Sequence, residues 1–165
     1  MSKHLIAPCL WFDTQAEEAA KFYIGVFKHS KLKQITHYGE AGKADHGRPP
    51  GSVLTVEFEL NGTPFTALNG GPNFKFNEAV SLQVLCDDQA EIDDYWAKLT
   101  AGGDPKAQIC GWLKDKYGVS WQIAPAKSAE WLKDSPNEKS ERMMLAMMKM
   151  KKLDIAALQR AYDGK

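Results

Sequence analysis

The sequence lacks the features that mark two common classes of protein. It has no excess charge of one sign, since Lys and Arg together number 21 and Asp and Glu together also number 21 in 165 residues. A duplex nucleic-acid binder needs a cationic face to replace counterions, so no nucleic-acid partner is expected. No apolar run reaches the roughly 18 residues of a membrane span, because Asp13, Glu17 and Lys21 interrupt the first one. The N-terminal residues also lack the apolar segment of a secretory signal. We therefore expect no membrane partner.

Cysteine is scarce, and its spacing argues against a disulfide framework. Cys9, Cys86 and Cys110 are odd in number and form no CxxC pair. This pattern is typical of reduced thiols. We therefore predict a cytoplasmic protein, in which the Asn61-Gly62-Thr63 sequon is only a turn.

Motifs for nucleotides, methyl donors and metals are missing. No GxGxxG segment follows a strand and no GK[ST] is present, which argues against a Rossmann-type site and a P-loop. The segment Leu68-Asn69-Gly70-Gly71-Pro72 instead predicts a tight turn, which could let a ligand approach the backbone. We expect no cofactor. We expect no metal either, because HxH and HxxxH pairs are absent among the histidines, which are His4, His29, His37 and His46.

A short internal repeat organises the chain. Asp13-Thr14-Gln15-Ala16-Glu17 returns as Asp87-Asp88-Gln89-Ala90-Glu91. Each copy follows an apolar run and precedes a helix-like pattern. Asp13 and Asp87 are therefore predicted N-caps of two equivalent helices.

Short strands follow each predicted helix. Ser52 to Leu60 alternates apolar and polar residues, and Asn61-Gly62 is the favoured dipeptide of a type I′ hairpin into Phe65 to Asn69. In the second half, Ile109 to Leu113 and Val119 to Ile123 are the predicted hairpin. Each half is thus predicted to be β-α-β-β-β.

The predicted fold class is α+β. Residues 1–125 would hold two paired βαβββ modules, at about 4–70 and 78–125. They would form a curled mixed or antiparallel half-barrel sheet with helices on its convex face. Residues 126–165 are a predicted C-terminal helical extension, in which methionines fill packing gaps or form an adaptable groove. Neither module covers both faces of its own sheet, so we expect the modules to pair and the protein to be a homodimer.

Strand alternation places polar side chains on the sheet face away from the helices. This parity leaves Ser81, Ser120 and Gln122 on that face in the second module, and Thr55 and Glu57 in the first. An open sheet with one wet face would give the same pattern. The alternative is a ligand-binding cleft, lined by Thr55, Glu57, Ser81 and Gln122.

Four further roles follow from residue type. Glu57 is a candidate general base, and Cys110, beside a glycine, is a candidate nucleophile. Cys110 has no histidine near it in sequence, so a structural role is its alternative. Trp11 and Trp112 are candidates for the aromatic rim of the cleft.

Several segments resemble the PhnB-like proteins. The opening is similar at residues 9–13 and 17–23, and Leu68 to Pro72, Phe74 to Ser81 and Cys110 to Pro125 are similar as well. These proteins belong to the vicinal-oxygen-chelate superfamily, with glyoxalase I, extradiol dioxygenases and bleomycin- or fosfomycin-resistance proteins. The resemblance covers nearly the whole chain and implies paired βαβββ modules in a half-barrel, usually as a homodimer. Many such sequences carry the name 3-demethylubiquinone-9 3-methyltransferase, an activity that no methyl-donor motif here supports.

The resemblance also implies where a metal would be held. The metal enzymes of the superfamily place His or Glu at three positions, which fall here near residues 6–8, near Ser81 and on Gln122. None of these is His, Asp or Glu, and Gln is a poor ligand for a transition metal. We therefore expect a member that holds no metal.

Three function classes remain open. We favour binding of a small planar or hydrophobic molecule in a metal-free cleft. The alternatives are an enzyme without metal that uses Glu57 or Cys110, and a metalloenzyme that recruits Glu57 or His4. The expected partners are a small-molecule ligand and a second copy of the chain.

Overall fold

The computed structural model describes residues 6–165, which form two compact units that divide between Phe76 and Asn77. His4, one of the candidate metal ligands, lies outside the described residues. Within residues 6–165, no helix is both long enough and apolar enough to cross a membrane.

The first unit contains a four-stranded sheet. Its elements are β1 (Cys9–Phe12), α1 (Ala16–Val26), β2 (Lys31–His37), α2 (Lys43–His46), β3 (Val53–Leu60) and β4 (Thr63–Asn69). The strands lie in the order β1-β4-β3-β2, with β1 parallel to β4 and the other neighbours antiparallel. This is the expected βαβββ module, with the short helix α2 in the loop before β3.

Alternation in β3 decides which residues enter the core of the first unit. Val56 and Phe58 are buried, whereas Glu57 between them is exposed. β3 turns into β4 at Asn61-Gly62, whose φ angles of 46° and 80° are left-handed, as a type I′ turn requires. The predicted hairpin is confirmed, and Thr55 shares the face of Glu57.

A residue distant in sequence caps α1. Oδ1 of Asn69, at the end of β4, accepts a hydrogen bond of 2.8 Å from the Ala16 amide, and its Nδ2 donates to the Val53 carbonyl. Asp13 instead forms an ion pair with Arg48 at 2.7 Å. The prediction of Asp13 as N-cap is wrong, because the end of β4 brings a buried carboxamide to the first turn of the helix.

The second unit contains a three-stranded sheet. Its elements are β5 (Leu82–Cys86), α3 (Gln89–Thr100), a 3₁₀ turn (Pro105–Ala107), β6 (Trp112–Lys114) and β7 (Ser120–Pro125). The order is β5-β7-β6, with β5 parallel and β6 antiparallel to β7. The described sheet has one strand fewer than the expected module. After α3 the chain forms the 3₁₀ turn where a strand was expected. Ile109 forms only an isolated bridge with Trp112.

The N-cap of α3 is displaced by one residue from its prediction. Asp88, not Asp87, accepts a hydrogen bond of 2.9 Å from the Glu91 amide. The Glu91 carboxylate in turn accepts from the Asp87 amide at 3.1 Å. The prediction of Asp87 as the cap is wrong, because Asp87 contributes its backbone amide to the start of the helix while the side chain of Asp88 accepts from the first turn.

Asp115 organises the turn between β6 and β7. Its side chain is buried, and Oδ1 accepts hydrogen bonds of 2.9 and 3.0 Å from the amides of Tyr117 and Val119. Oδ2 accepts a bond of 2.8 Å from the indole of Trp121. Side-chain bonds of this kind hold the hairpin in register.

The C-terminal helices belong to the same compact unit as the second sheet. They are α4 (Ser128–Trp131), α5 (Glu138–Met147) and α6 (Ile155–Asp163). Trp131, Met143, Leu153 and Leu158 form their core. Met147 and Met150 pack against this core, whereas Met148 is exposed, so the methionines divide between core and surface. Together, the two sheets and their helices confirm the α+β class.

Candidate functional site

The register of β6 and β7 groups four side chains on one face of the second sheet. Trp112 lies opposite Gln122, and Lys114 lies opposite Ser120. Alternation puts these four on the side away from the buried Trp121 of β7. We call this side, with Trp112, Lys114, Ser120 and Gln122, the open face.

A cavity of about 470 Å³ lies against the open face. Apolar atoms dominate its wall, and Trp112 and Lys114 contribute to it from the open face. The residues that line it are Glu78, Ala107, Ile109, Cys110, Trp112, Leu113, Lys114 and Ser120. A volume of this size is within the range of small-molecule sites.

Ser120 brings a buried hydroxyl to this cavity. The residue is only 2% exposed, and its Oγ has no hydrogen-bond partner among the described residues. A buried polar group without a partner costs about 1–3 kcal/mol, so native proteins rarely keep one without a reason. A small side-chain movement that exposes this hydroxyl would give the cavity a donor and an acceptor without breaking a hydrogen bond among the described residues.

Lys114 and Glu78 supply the charges of the cavity wall. They form an ion pair in which the lysine side chain is 22% exposed and the glutamate side chain 59%. The hydrogen bond from Lys114 lowers the pKa of Glu78, with a smaller contribution from the backbone amide of Glu78. Glu78 is therefore ionised at neutral pH, and the lysine is the better-buried partner.

Cys110 occupies a tight turn at the edge of the cavity. Cys110 and Gly111 have φ angles of 51° and 82°, the left-handed pair of a type I′ turn. Their amides donate hydrogen bonds of 2.8 Å to the carbonyls of Met150 and Lys151. A Cβ at Gly111 would lie 2.8 Å from the Ile123 carbonyl oxygen, so this position needs glycine. The turn thus fastens the C-terminal segment to the sheet.

Gln122 is held in a row of polar side chains on the open face. Its Nε2 donates a hydrogen bond of 2.7 Å to Oγ of Ser81, and its Oε1 accepts one of 3.2 Å from Gln83. The structure therefore brings together two of the predicted cleft residues, Ser81 and Gln122, on one face. That they bind a ligand remains a prediction.

The residues at the superfamily's metal positions do not fit a transition metal. Residues 6–8 are Ile, Ala and Pro, and Ser81 and Gln122 offer only a hydroxyl and a carboxamide, which bond to each other. Among residues 6–165, no group of three His, Cys, Asp or Glu side chains could hold a metal ion. The donor groups at these positions therefore do not suit a transition metal.

The two predicted cleft residues of the first unit have different surroundings. Oγ1 of Thr55 lies 2.5 Å from Oγ1 of Thr36 in the neighbouring strand. Glu57 is exposed, between Gln34 and Thr66 in the sheet register. That all four predicted cleft residues line one cleft, and that Glu57 acts as a base, remain predictions.

Trp11 packs against the glycine turn of its own unit. Its Nε1 donates a hydrogen bond of 2.8 Å to the Gly71 carbonyl, and Phe74 contacts it edge-on at 4.9 Å. A Cβ at Gly70 would lie 2.2 Å from the indole ring. The group that approaches the glycine backbone is thus an indole of the same chain.

The first unit has a smaller cavity, of about 250 Å³, beside the start of α1. Its polar groups are already engaged, since Arg48 bonds to Asp13 and Asn69 bonds to Ala16 and Val53. The cavity of the second unit is therefore the stronger candidate site.

Sequence reasoning missed two residues of that site. Alternation along β7 predicts that Ser120 lies on the open face. Its burial depends on the surrounding fold, which alternation does not predict. Lys114 alternates with Leu113 after Trp112, so parity along β6 would have placed it beside Trp112 on the open face.

A family model described as 3-demethylubiquinone-9 3-methyltransferase matches residues 4–124. The chain belongs to this family. The C-terminal helices lie beyond the matched residues. None of the curated proteins matches the sequence.

Solved structures agree with this assignment. A PhnB protein from Bacillus cereus, described by the same methyltransferase name, is 37% identical, with 73% of this chain and 98% of that chain covered and a TM-score of 0.62. Protein PA1353 from Pseudomonas aeruginosa is 18% identical, with coverages of 74% and 98% and a TM-score of 0.56. The fosfomycin resistance protein FosX from Mesorhizobium loti is 15% identical, with coverages of 81% and 99% and a TM-score of 0.55.

These likenesses make this family member a PhnB-like protein with the fold of the vicinal-oxygen-chelate superfamily, as expected. The sequence carries no methyl-donor motif that would correspond to the methyltransferase description of the family. Neither described sheet is the doubly wound parallel sheet of a Rossmann-type site, and no GxGxxG follows a strand.

Proposed function

We propose that this PhnB-like protein binds a small organic molecule in the cavity on the open face of its second sheet. The observation that carries the proposal is Ser120, which lines this largely apolar cavity and has a buried hydroxyl without a partner among the described residues. Ligand sites combine apolar and aromatic walls with a few placed polar groups. Trp112 supplies the aromatic wall, and Ser120 supplies a group that orients the ligand.

Calorimetric titration with 2-naphthol, a neutral planar aromatic alcohol, tests this proposal. We expect one molecule to bind per chain, because the ring can pack on Trp112 and the hydroxyl can bond to Ser120. Trp112→Ala should weaken binding at least tenfold. Ala107→Leu, which fills the cavity without removing a contact of the sheet, should do the same.

The matched control for the tryptophan is Trp96→Ala. Trp96 is half-buried like Trp112, but it lies in α3 and does not line the cavity. It should leave the affinity within threefold of the wild type. Absence of binding, or binding that survives both cavity variants, would contradict the proposal.

A metal-free enzyme is the second candidate, because the Cys110 thiol lines the same cavity. A cysteine nucleophile needs a base, and the described residues that line this cavity include no histidine. The thiol would displace 2-naphthol from 2-naphthyl acetate, and water would then hydrolyse the acetyl thioester to acetate. Release of many equivalents of 2-naphthol per chain by the wild type, and not by Cys110→Ser, would support this candidate.

We also propose that the protein is a cytoplasmic homodimer. Its three cysteines are free thiols, and its sheets end in edge strands that a second copy could cover. Leu85, on the edge strand β5, is 61% exposed, and a second copy that pairs with this edge would cover it.

A further inference from the structure

The cavity wall carries one fixed positive charge. Lys114 and Glu78 are the charged residues among the described lining residues. Lys114 is 22% exposed and extends from β6, whereas Glu78 is 59% exposed and precedes β5. The Glu78 carboxylate can therefore turn into solvent at little cost, while the ammonium group of Lys114 remains beside the cavity.

An anion can replace Glu78 as the partner of Lys114. An ammonium group has three N–H donors. Lys114 can therefore bind the carboxylate of a ligand before Glu78 leaves or after it has left. A charged hydrogen bond in a partly desolvated cavity is stronger than the same bond at the surface.

Ser120 stands where it can bind the same anion. It lies directly opposite Lys114 in the register of β6 and β7. Residues opposite each other in this register extend from neighbouring points on the same face, so the flexible lysine side chain can bring its ammonium group to a carboxylate that also reaches the serine. The Ser120 hydroxyl would then donate its proton to one carboxylate oxygen while Lys114 donates to the other.

We infer that the ligand is an amphipathic monoanion, with a single carboxylate held by Lys114 and Ser120 and an apolar or aromatic body held against Trp112 and Ile109. This inference rests on the proposed function, since it names the ligand class of the same cavity. A carboxylate suits the site better than a doubly charged group, because the cavity offers one cation. A cationic ligand is disfavoured, because the better-buried charge is positive.

The experiment compares 3-phenylpropanoate with 3-phenylpropanamide, which has the same body and nearly the same shape but no charge. Calorimetric titration of the wild type should show the carboxylate binding at least tenfold more tightly. Lys114→Met, which keeps the apolar stem, should abolish that preference while changing the amide affinity less than threefold. Ser120→Ala should weaken carboxylate binding three- to tenfold.

Two control variants test whether the change in carboxylate binding is specific to the charges of the cavity. Lys98→Met also removes a lysine that pairs with one carboxylate, but Lys98 is in α3, and the carboxylate preference should remain. Glu78→Gln removes the competing anion and should strengthen carboxylate binding at least threefold. Asp94→Asn, its matched control beside Lys98, should leave it unchanged. Glu78 is exposed, so the Glu78→Gln variant tests the idea even if Lys114→Met folds poorly.

The outcomes separate this inference from the proposed function. Equal affinities for the carboxylate and the amide, both lost in Trp112→Ala, would overturn the anion inference and leave the cavity as a ligand site. A carboxylate preference that survives Lys114→Met would overturn it as well. Failure of 2-naphthol to bind would overturn the proposed function and, with it, this inference.

Discussion

The indole Nε1 of Trp121 donates a hydrogen bond of 2.8 Å to Oδ2 of Asp115, and both side chains are buried. This bond crosses the hairpin between β6 and β7, whose other face carries Trp112, Lys114 and Ser120. The shape of the candidate site thus depends on a buried carboxylate behind it.

Asp115→Ala should therefore destabilise the protein strongly. The substitution leaves the amides of Tyr117 and Val119 and the Trp121 indole without their acceptor. We expect a loss of about 3–5 kcal/mol in the free energy of unfolding, measured by urea denaturation. Asp104→Ala, which removes the exposed acceptor of the Lys106 amide, is the control and should cost about 1 kcal/mol. A loss of about 1 kcal/mol or less for Asp115→Ala would contradict this account.

Gly70→Ala should displace Trp11 from its place in the first unit. A Cβ at Gly70 would lie 2.2 Å from the indole ring, so the side chain or the turn must move. We expect a loss of about 1–3 kcal/mol in the free energy of unfolding and a red shift of tryptophan fluorescence. Gly39→Ala is the matched control, because its Cβ would have no atom within 4 Å. Equal stability of the two variants would rule out the proposed packing role.

The three thiols should differ in reactivity. Burial raises the pKa of Cys86 to about 12, with smaller contributions from the charges of Glu91, Asp87 and Asp88. Its thiolate is therefore rare at pH 8, and the folded state favours the neutral thiol. The contribution of this neutral thiol to the free energy of unfolding is therefore fully present below its ordinary pKa of 9.0. It is lost as the pH rises from 9.0 toward 12.

Titration with a disulfide reagent at pH 8 measures this difference. We expect the native protein to react at Cys9, which is exposed, and at Cys110, which is half-buried, and to withhold Cys86 until urea is added. Rapid labelling of Cys86 in the native protein would show that its environment is open to solvent.

The repeated strand, helix and hairpin pattern could be predicted from the sequence because it depends on local periodicity and turn chemistry. Asn61-Gly62 determines one hairpin by itself, since both residues adopt positive φ. Asp13 failed as an N-cap because Asn69, more than fifty residues away, supplies the acceptor to Ala16. No local pattern contains that contact.

In the candidate site, too, the features that follow from local alternation could be predicted and those that depend on distant segments could not. Parity alone placed Ser81 and Gln122 on one face, where they share a hydrogen bond of 2.7 Å. The lack of a partner for the Ser120 hydroxyl depends on packing by segments distant in sequence, and the ion pair joins Lys114 of β6 to Glu78 in the turn before β5. Neither property follows from the strand that carries the residue.

The proposed homodimer is tested by sedimentation at micromolar concentration. We expect a mass about twice the 18.4 kDa of the chain, since a second copy can cover the exposed Leu85 of the edge strand β5. Leu85→Lys should shift the protein toward the monomer, whereas Leu145→Lys, at a similarly exposed position of α5, should not. A wild-type protein that stays monomeric as concentration rises would rule the dimer out.

Mapping of NMR chemical-shift changes during titration with 2-naphthol shows which unit holds the ligand. We expect the Trp112 indole and the Ser120 amide to shift together and to saturate at one ligand per chain. The Trp11 indole and the Thr55 amide, in the first unit, should not move. Shifts confined to the first unit, or no saturable shift at Trp112 and Ser120, would contradict a ligand site on the open face of the second sheet.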